Sequence, residues 1–144
     1  MKSTYGVHPT VTQGRWMAGD ADAYLATAER YVEDMFAGAK APLRPLYDAL
    51  LTLGLSIGRD VKACPCKTMV PLYRNHVIAQ VKPSSRTRID FGLALGDMKT
   101  PKRLVNTGGF GKGDRITHKI AISARSDVDA EVTRWLKQAY ELDK

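Results

Sequence analysis

From Asp20 onward, apolar residues fall at Tyr24, Leu25, Ala28, Tyr31, Val32, Met35 and Phe36, the recurrence that marks one face of an amphipathic helix. Gly38 ends that helix. A second, starting near Pro42, carries Leu43, Leu46, Tyr47, Leu50, Leu51 and Leu53 on its apolar side. Pro45 is compatible with it because the first helical turn has no intrahelical use for the missing N–H. Beyond Gly58 the apolar period changes to two, and strand registers follow from asking which pairings keep the apolar residues on one face. With Arg74-Asn75 as a tight turn, Leu72 pairs with Val77, Val70 with Ala79 and Thr68 with Val81. With residues 83–85 as the next turn, Lys82 faces Arg86, Val81 faces Thr87, Ala79 faces Ile89 and Val77 faces Phe91. Both turns put Val70, Leu72, Val77, Ala79, Val81, Ile89 and Phe91 on the same, inward side, leaving Met69, Pro71 and Ile78 outward.

The pattern therefore predicts an antiparallel β-meander between about Lys67 and Leu95. Strand character returns over residues 116–123, and Ser126 is placed as the cap of a final helix, with Asp127 and Asp129 at its positive end. That helix has Val128, Val132, Trp135, Leu136 and Ala139 as its core stripe. The expected fold is α+β: an antiparallel meander sheet packed on one face by two N-terminal helices and a C-terminal helix. It occupies residues 21–144 as a single domain, preceded by an irregular arm over residues 1–20 with Gly6, Pro9, Gly14 and Gly19. Residues 96–115 are glycine-rich apart from a strand-like Arg103-Leu104-Val105, and a loop of this length is often functional or mobile.

At 144 residues with a 44% hydrophobic share, one core is sufficient. No apolar run approaches the ~20 residues that cross a bilayer, and the first ten residues have one lysine without a following apolar stretch. Neither a membrane partner nor a secretory leader is expected, so the location is read as cytoplasmic. The formal charge of +7 favours anionic partners such as nucleic acid, nucleotides or other phosphate-bearing molecules, and is equally compatible with simple solubility.

In the register above, Lys67, Lys82 and Arg86 form a row on the outer sheet face at interstrand spacings near ~4.8 Å, with Arg88 two residues beyond Arg86. Like charges side by side are destabilising. The row is read as solvated charge partly neutralised by Asp90, or as the floor of an anion site, with Lys112 and Arg115 as a lid folding over it from the loop. Cys64 and Cys66, one proline apart, are too close for an unstrained disulfide. They lack the two further ligands that zinc requires, and His8, His76 and His118 show no ligand spacing; no metal or cofactor is expected. The run Gly108-Gly109-Phe110-Gly111-Lys112-Gly113-Asp114 fails the phosphate-binding loop pattern. No nucleophile elbow or paired acid and base is present, so no catalytic residue is assigned. His118 and Asp114 would pair only if the loop turned back; otherwise His118 is a satisfied strand histidine.

The segments CPCKTMVPLYRNHVIAQVKPSSRTRIDFGLALGD, TGGFGKGDRITHKI and DVDAEVTRWLKQAYE resemble an uncharacterised bacterial family of small domains of unknown function. Some of its relatives carry a loose "predicted transport protein" label, which nothing in this chain supports. The likeness runs from about Tyr31 to the C-terminus, and Gly6-Val7-His8-Pro9 resembles the opening of a second segment in longer relatives. The resemblance implies a compact sheet-and-helix domain, distantly similar to small frataxin-like proteins. No metal site carries over: an acidic ridge would have to map onto Asp22, Glu29, Glu33 and Asp34, which are interspersed with Arg30.

The expected function is a non-enzymatic binding or interaction domain for an anionic ligand on the basic sheet face. One alternative is a small enzyme or ligand carrier with its pocket between the sheet and the 96–115 loop. Another is a homodimer formed through the apolar part of the outer face.

Overall fold

The first helical stripe forms α1, Asp20–Met35, in a computed structural model that describes residues 20–143. Of the expected N-terminal arm, residues 1–19, with the Gly6–Pro9 motif, lie outside the described residues. After α1 the chain makes a 3₁₀ segment, Gly38–Leu43, before α2 at Arg44–Ile57. The second helix thus begins at Arg44, with Pro45 in its first turn. α2 is the most apolar helix: Leu46, Tyr47, Leu50 and Leu51 are buried, and the Tyr47 ring lies 4.9 Å from that of Phe36. Gly54 lets this helix approach the sheet, because a β-carbon there would collide with Leu72.

The sheet consists of β1 (Lys62–Ala63), β2 (Val70–Tyr73), β3 (Val77–Pro83), β4 (Ile89–Leu93), β5 (Val105–Asn106) and β6 (His118–Ile122). Their spatial order is β1-β2-β3-β4-β6-β5, antiparallel throughout. The fold is α+β, with the meander expected from the alternation as its centre. The last helix, α3, spans Ala130–Leu142, and Val132, Leu136 and Ala139 bury its apolar face. It contacts α2, β3 and β4. Its N-cap is Asp129, whose side chain accepts from the Val132 amide, and not Ser126, which lies in a short 3₁₀ turn just before. Arg103 clamps this end, reaching both Asp129 oxygens at 2.7 and 2.9 Å, Glu131 at 3.1 Å and the Asp127 carbonyl at 2.9 Å.

The strand faces agree with the alternation at every inward position but one, whereas both registers differ. Leu72 pairs with Ala79 and Val70 with Val81, two residues away from the expected partners, and a bulge falls between Leu72 and Tyr73. Tyr73 pairs with Val77, so Ile78 is the extra residue; it is fully buried in the core while Val77 is only half-buried. Ile78 thus takes the inward place expected for Val77. Across the next hairpin Val81 pairs with Phe91 and Ala79 with Leu93, because the turn uses residues 84–88. Shifts by even numbers of residues preserve which face each side chain occupies, which is why the core survives a wrong register.

Candidate functional site

The register places charge differently at the two ends of β3. Near its start, the hairpin at residues 74–76 meets the end of α3. Asp143, only 2% exposed, accepts hydrogen bonds from the amides of Asn75 (2.9 Å) and His76 (2.7 Å) and pairs with His76 Nδ1 at 2.7 Å. Burial opposes its ionisation, but the His76 side chain and the two amides outweigh it and hold the carboxyl below its ordinary value. Arg115 Nη2 lies 3.7 Å from the same carboxylate, and its Nε donates to the Val77 carbonyl. Alongside, Arg74 stacks on the Tyr140 ring, donates to the Tyr140 carbonyl and pairs with Asp60, which also accepts from the Tyr140 hydroxyl. That phenol hydrogen bond, then the Arg74 one, lowers the Asp60 pKa.

This His76–Asp143 arrangement escapes a reading of the sequence because the partners are 67 residues apart. A carboxylate oxygen fixes Nδ1–H as the donor and leaves Nε2 turned away from the pair. The His118 and Asp114 pair considered from the sequence does not form. His118 is buried, with its two ring nitrogens on the Thr117 hydroxyl (2.8 Å) and the Met98 carbonyl (3.1 Å).

At the other end of β3, the expected row of Lys67, Lys82 and Arg86 does not form as a ladder. Lys82 stands opposite Asp90, and Arg86 sits in the 84–88 turn. The three nevertheless line one cleft of about 690 Å³ between the end of α1, the 3₁₀ segment and the β3–β4 hairpin. Thr68, Ser84, Lys40 and Asp34 also line it. Lys40 is tied at 2.8 Å to the Pro83 carbonyl. Among the described residues, Lys67, Lys82 and Arg86 make no ion pair.

Arg88 leaves the group. Its Nε is 3.1 Å from Asp90, which also accepts from the Ser84 hydroxyl at 2.7 Å and lies 3.8 Å from Lys119. The residues expected as a lid lie elsewhere: Arg115 is bonded at the Val77 end of β3, and Lys112 closes the 3₁₀ turn Phe110–Lys112. A strand of this length holds its ends roughly 20 Å apart, so Arg115 does not reach over Lys82. The outer face meanwhile offers less apolar surface than its sequence suggests, since Pro71 and Ile78 are buried and Met69 is half-buried.

Cys64 is buried and Cys66 exposed, and neither is in a disulfide. Desolvation pushes the Cys66 thiol up, away from the thiolate that reactive or ligating cysteines need. Among the described residues no group of three or more His, Cys, Asp or Glu is placed to hold a metal ion. No described helix is long and apolar enough to cross a membrane.

Fold and site together define a small α+β domain with a six-stranded antiparallel sheet and a basic cleft at one sheet end. The family described as a domain of unknown function (DUF5655) matches residues 32–143, and the chain belongs to it. No curated protein and no solved structure matches the chain.

Proposed function

We propose that this domain is a non-enzymatic binding module for phosphate-bearing anions, seated in the cleft of Lys67, Lys82 and Arg86. The observation that carries the reading is that Lys67, Lys82 and Arg86 share one cleft of about 690 Å³ with Lys40 and Asp34, and none of the three makes an ion pair among the described residues. Its volume lies within the range of small-molecule sites, and the Ser84 and Thr68 hydroxyls add hydrogen-bonding groups beside the charges. Arg86 supplies a planar fork suited to two phosphate oxygens, while the lysines act as point charges. Lys40, already bonded to Pro83, adds positive potential and fixes the wall. Asp34 also lines the cleft and tempers its positive potential.

The test is fluorescence anisotropy with a labelled single-stranded oligonucleotide and, in competition, ATP. Three phosphate contacts predict that affinity for the oligonucleotide falls roughly twentyfold between 50 and 200 mM salt. The double substitution Lys82→Glu with Arg86→Glu should abolish binding. Unchanged affinity in that variant, or no salt-sensitive binding of either probe, rejects the proposal; competition by ATP at equal affinity assigns a nucleotide and not a strand.

A further inference from the structure

Among the described residues three large apolar side chains are mostly exposed, Val105, Phe110 and Leu142, and two of these, at 59% and 56%, line the same cleft. That cleft, about 370 Å³, lies between the tip of the β5–β6 connection and the end of α3, with Ala94, Gly96, Asp114, Arg115 and Thr117 completing its walls. Its position is far from Lys82 and adjoins the Asp143 end of the sheet through Arg115.

The tip carrying Phe110 is built to hold that ring outward. Gly108 and Gly113, both at positive φ, bound the turn, and the Lys112 and Asp114 amides both donate to the Gly109 carbonyl at 3.0 and 2.8 Å. Gly109 itself has no room for a β-carbon, which would strike the Ile116 carbonyl oxygen. The turn is thus held by its own backbone bonds and by Thr107, whose hydroxyl donates to the Ile116 carbonyl and accepts from the Gly109 amide. None of this requires an aromatic ring at position 110. The phenyl group contributes nothing to the core, and leaving it in water is unfavourable by its apolar area.

The polar side of the cleft is equally particular. Arg115 is tied along one edge only, by a 3.3 Å bond from Nε to the Val77 carbonyl and a 3.7 Å approach of Nη2 to Asp143. Its Nη1 makes no hydrogen bond or ion pair among the described residues, and Arg115 lines this cleft as well as a neighbouring one with Val77 and Gln80. Asp114, on the same wall, makes no ion pair among the described residues. A fork of this type binds a carboxylate through two parallel hydrogen bonds. The volume is near the lower bound of small-molecule sites, too small for a helix or a strand of peptide and suited to one ring with a short side chain.

We infer that this cleft binds a small carboxylate carrying an apolar ring, with the ring between Phe110 and Leu142 and the carboxylate on Arg115. An α-amino group on the ligand would meet Asp114, so the same chemistry is available from an aromatic amino acid or from an aromatic acid without the amine. The site is independent of the basic cleft.

Amide and Arg Nε–H chemical shifts of the full chain decide the matter, with phenylalanine and 3-phenylpropionate as probes up to about 10 mM, enough to fill a millimolar site to roughly nine-tenths. Saturable shifts at Gly96, Gly113 and Arg115 Nε–H are expected with at least one probe. They should weaken about tenfold or more in Phe110→Ala and in Arg115→Gln and persist in Lys82→Glu with Arg86→Glu. Tighter binding of phenylalanine that Asp114→Asn removes assigns the zwitterion; equal or tighter binding of phenylpropionate assigns the plain acid. Absence of saturable shifts with both probes, or shifts that survive Arg115→Gln unchanged, overturns the inference. Phe110 is exposed, so its variant should retain the fold, and an unchanged amide spectrum without ligand verifies that.

Discussion

The two ends of β3 carry similar charge to different effect. At the Val77 end, Arg74 pairs with Asp60, Arg115 and His76 both reach Asp143, both arginines also bond backbone carbonyls, and the Asp143 carboxylate is buried. At the Pro83 end, Lys67, Lys82 and Arg86 border open space and make no ion pair among the described residues. Paired and desolvated charge fixes the position of a helix end and a hairpin; unpaired charge leaves the fold almost indifferent and retains its field for a ligand. Along one strand the molecule thus stitches mainly at one end and displays charge at the other, with Arg115 partly tied and partly open.

The strongest way to break this contrast is Asp143→Ala. It removes the buried acceptor of the Asn75 and His76 amides at a part-buried junction and should lower unfolding stability by about 2 kcal/mol, measured by urea denaturation. A loss below about 1 kcal/mol would mean that the junction is ornamental. Acid should produce part of the same effect in the native chain. Because the folded Asp143 carboxyl lies below its ordinary value of 3.8, its contribution is fully present above that pH and disappears as pH falls through the lower folded value. Stability curves of the native chain and Asp143→Asn should therefore converge below about pH 4.

His76→Ala should cost less, about 1 kcal/mol, since the exposed ring supplies one of three donors to the carboxylate and the amides remain. At the opposite end the expected change is smallest. Lys82→Glu with Arg86→Glu should shift stability by no more than about 0.5 kcal/mol while removing anion binding. A large destabilisation there would show that the cations are structural and would erase the distinction between the two ends.

Much of the architecture could be read along the chain. The helical stripes located α1, α2 and α3, and alternation gave the buried faces of β2, β3 and β4, because parity depends only on neighbours in sequence. Register was harder. The length of the 74–76 turn depends on Asp143, which arrives from 67 residues away, and the 84–88 turn keeps Arg86 off the strand. The basic cleft was half legible: Lys67, Lys82 and Arg86 are brought together, but around a cavity walled by the end of α1 and not as a flat row. Arg88, at the end of the turn, went to Asp90 two residues on in β4, the neutraliser that the sequence itself offers for the row.

What the sequence by itself determined was which residues leave water, since hydrophobic periodicity is a local property that collapse must respect. The tertiary structure alone decided which charges are neutralised. Ion pairing requires atoms within a few ångströms, and those distances are set by bulges, turn lengths and helix ends that only a completed packing arrangement specifies. Arg115 shows the difference: along the chain it is one more loop cation, and in the fold it is held against Val77 and Asp143 at the edge of an apolar cleft.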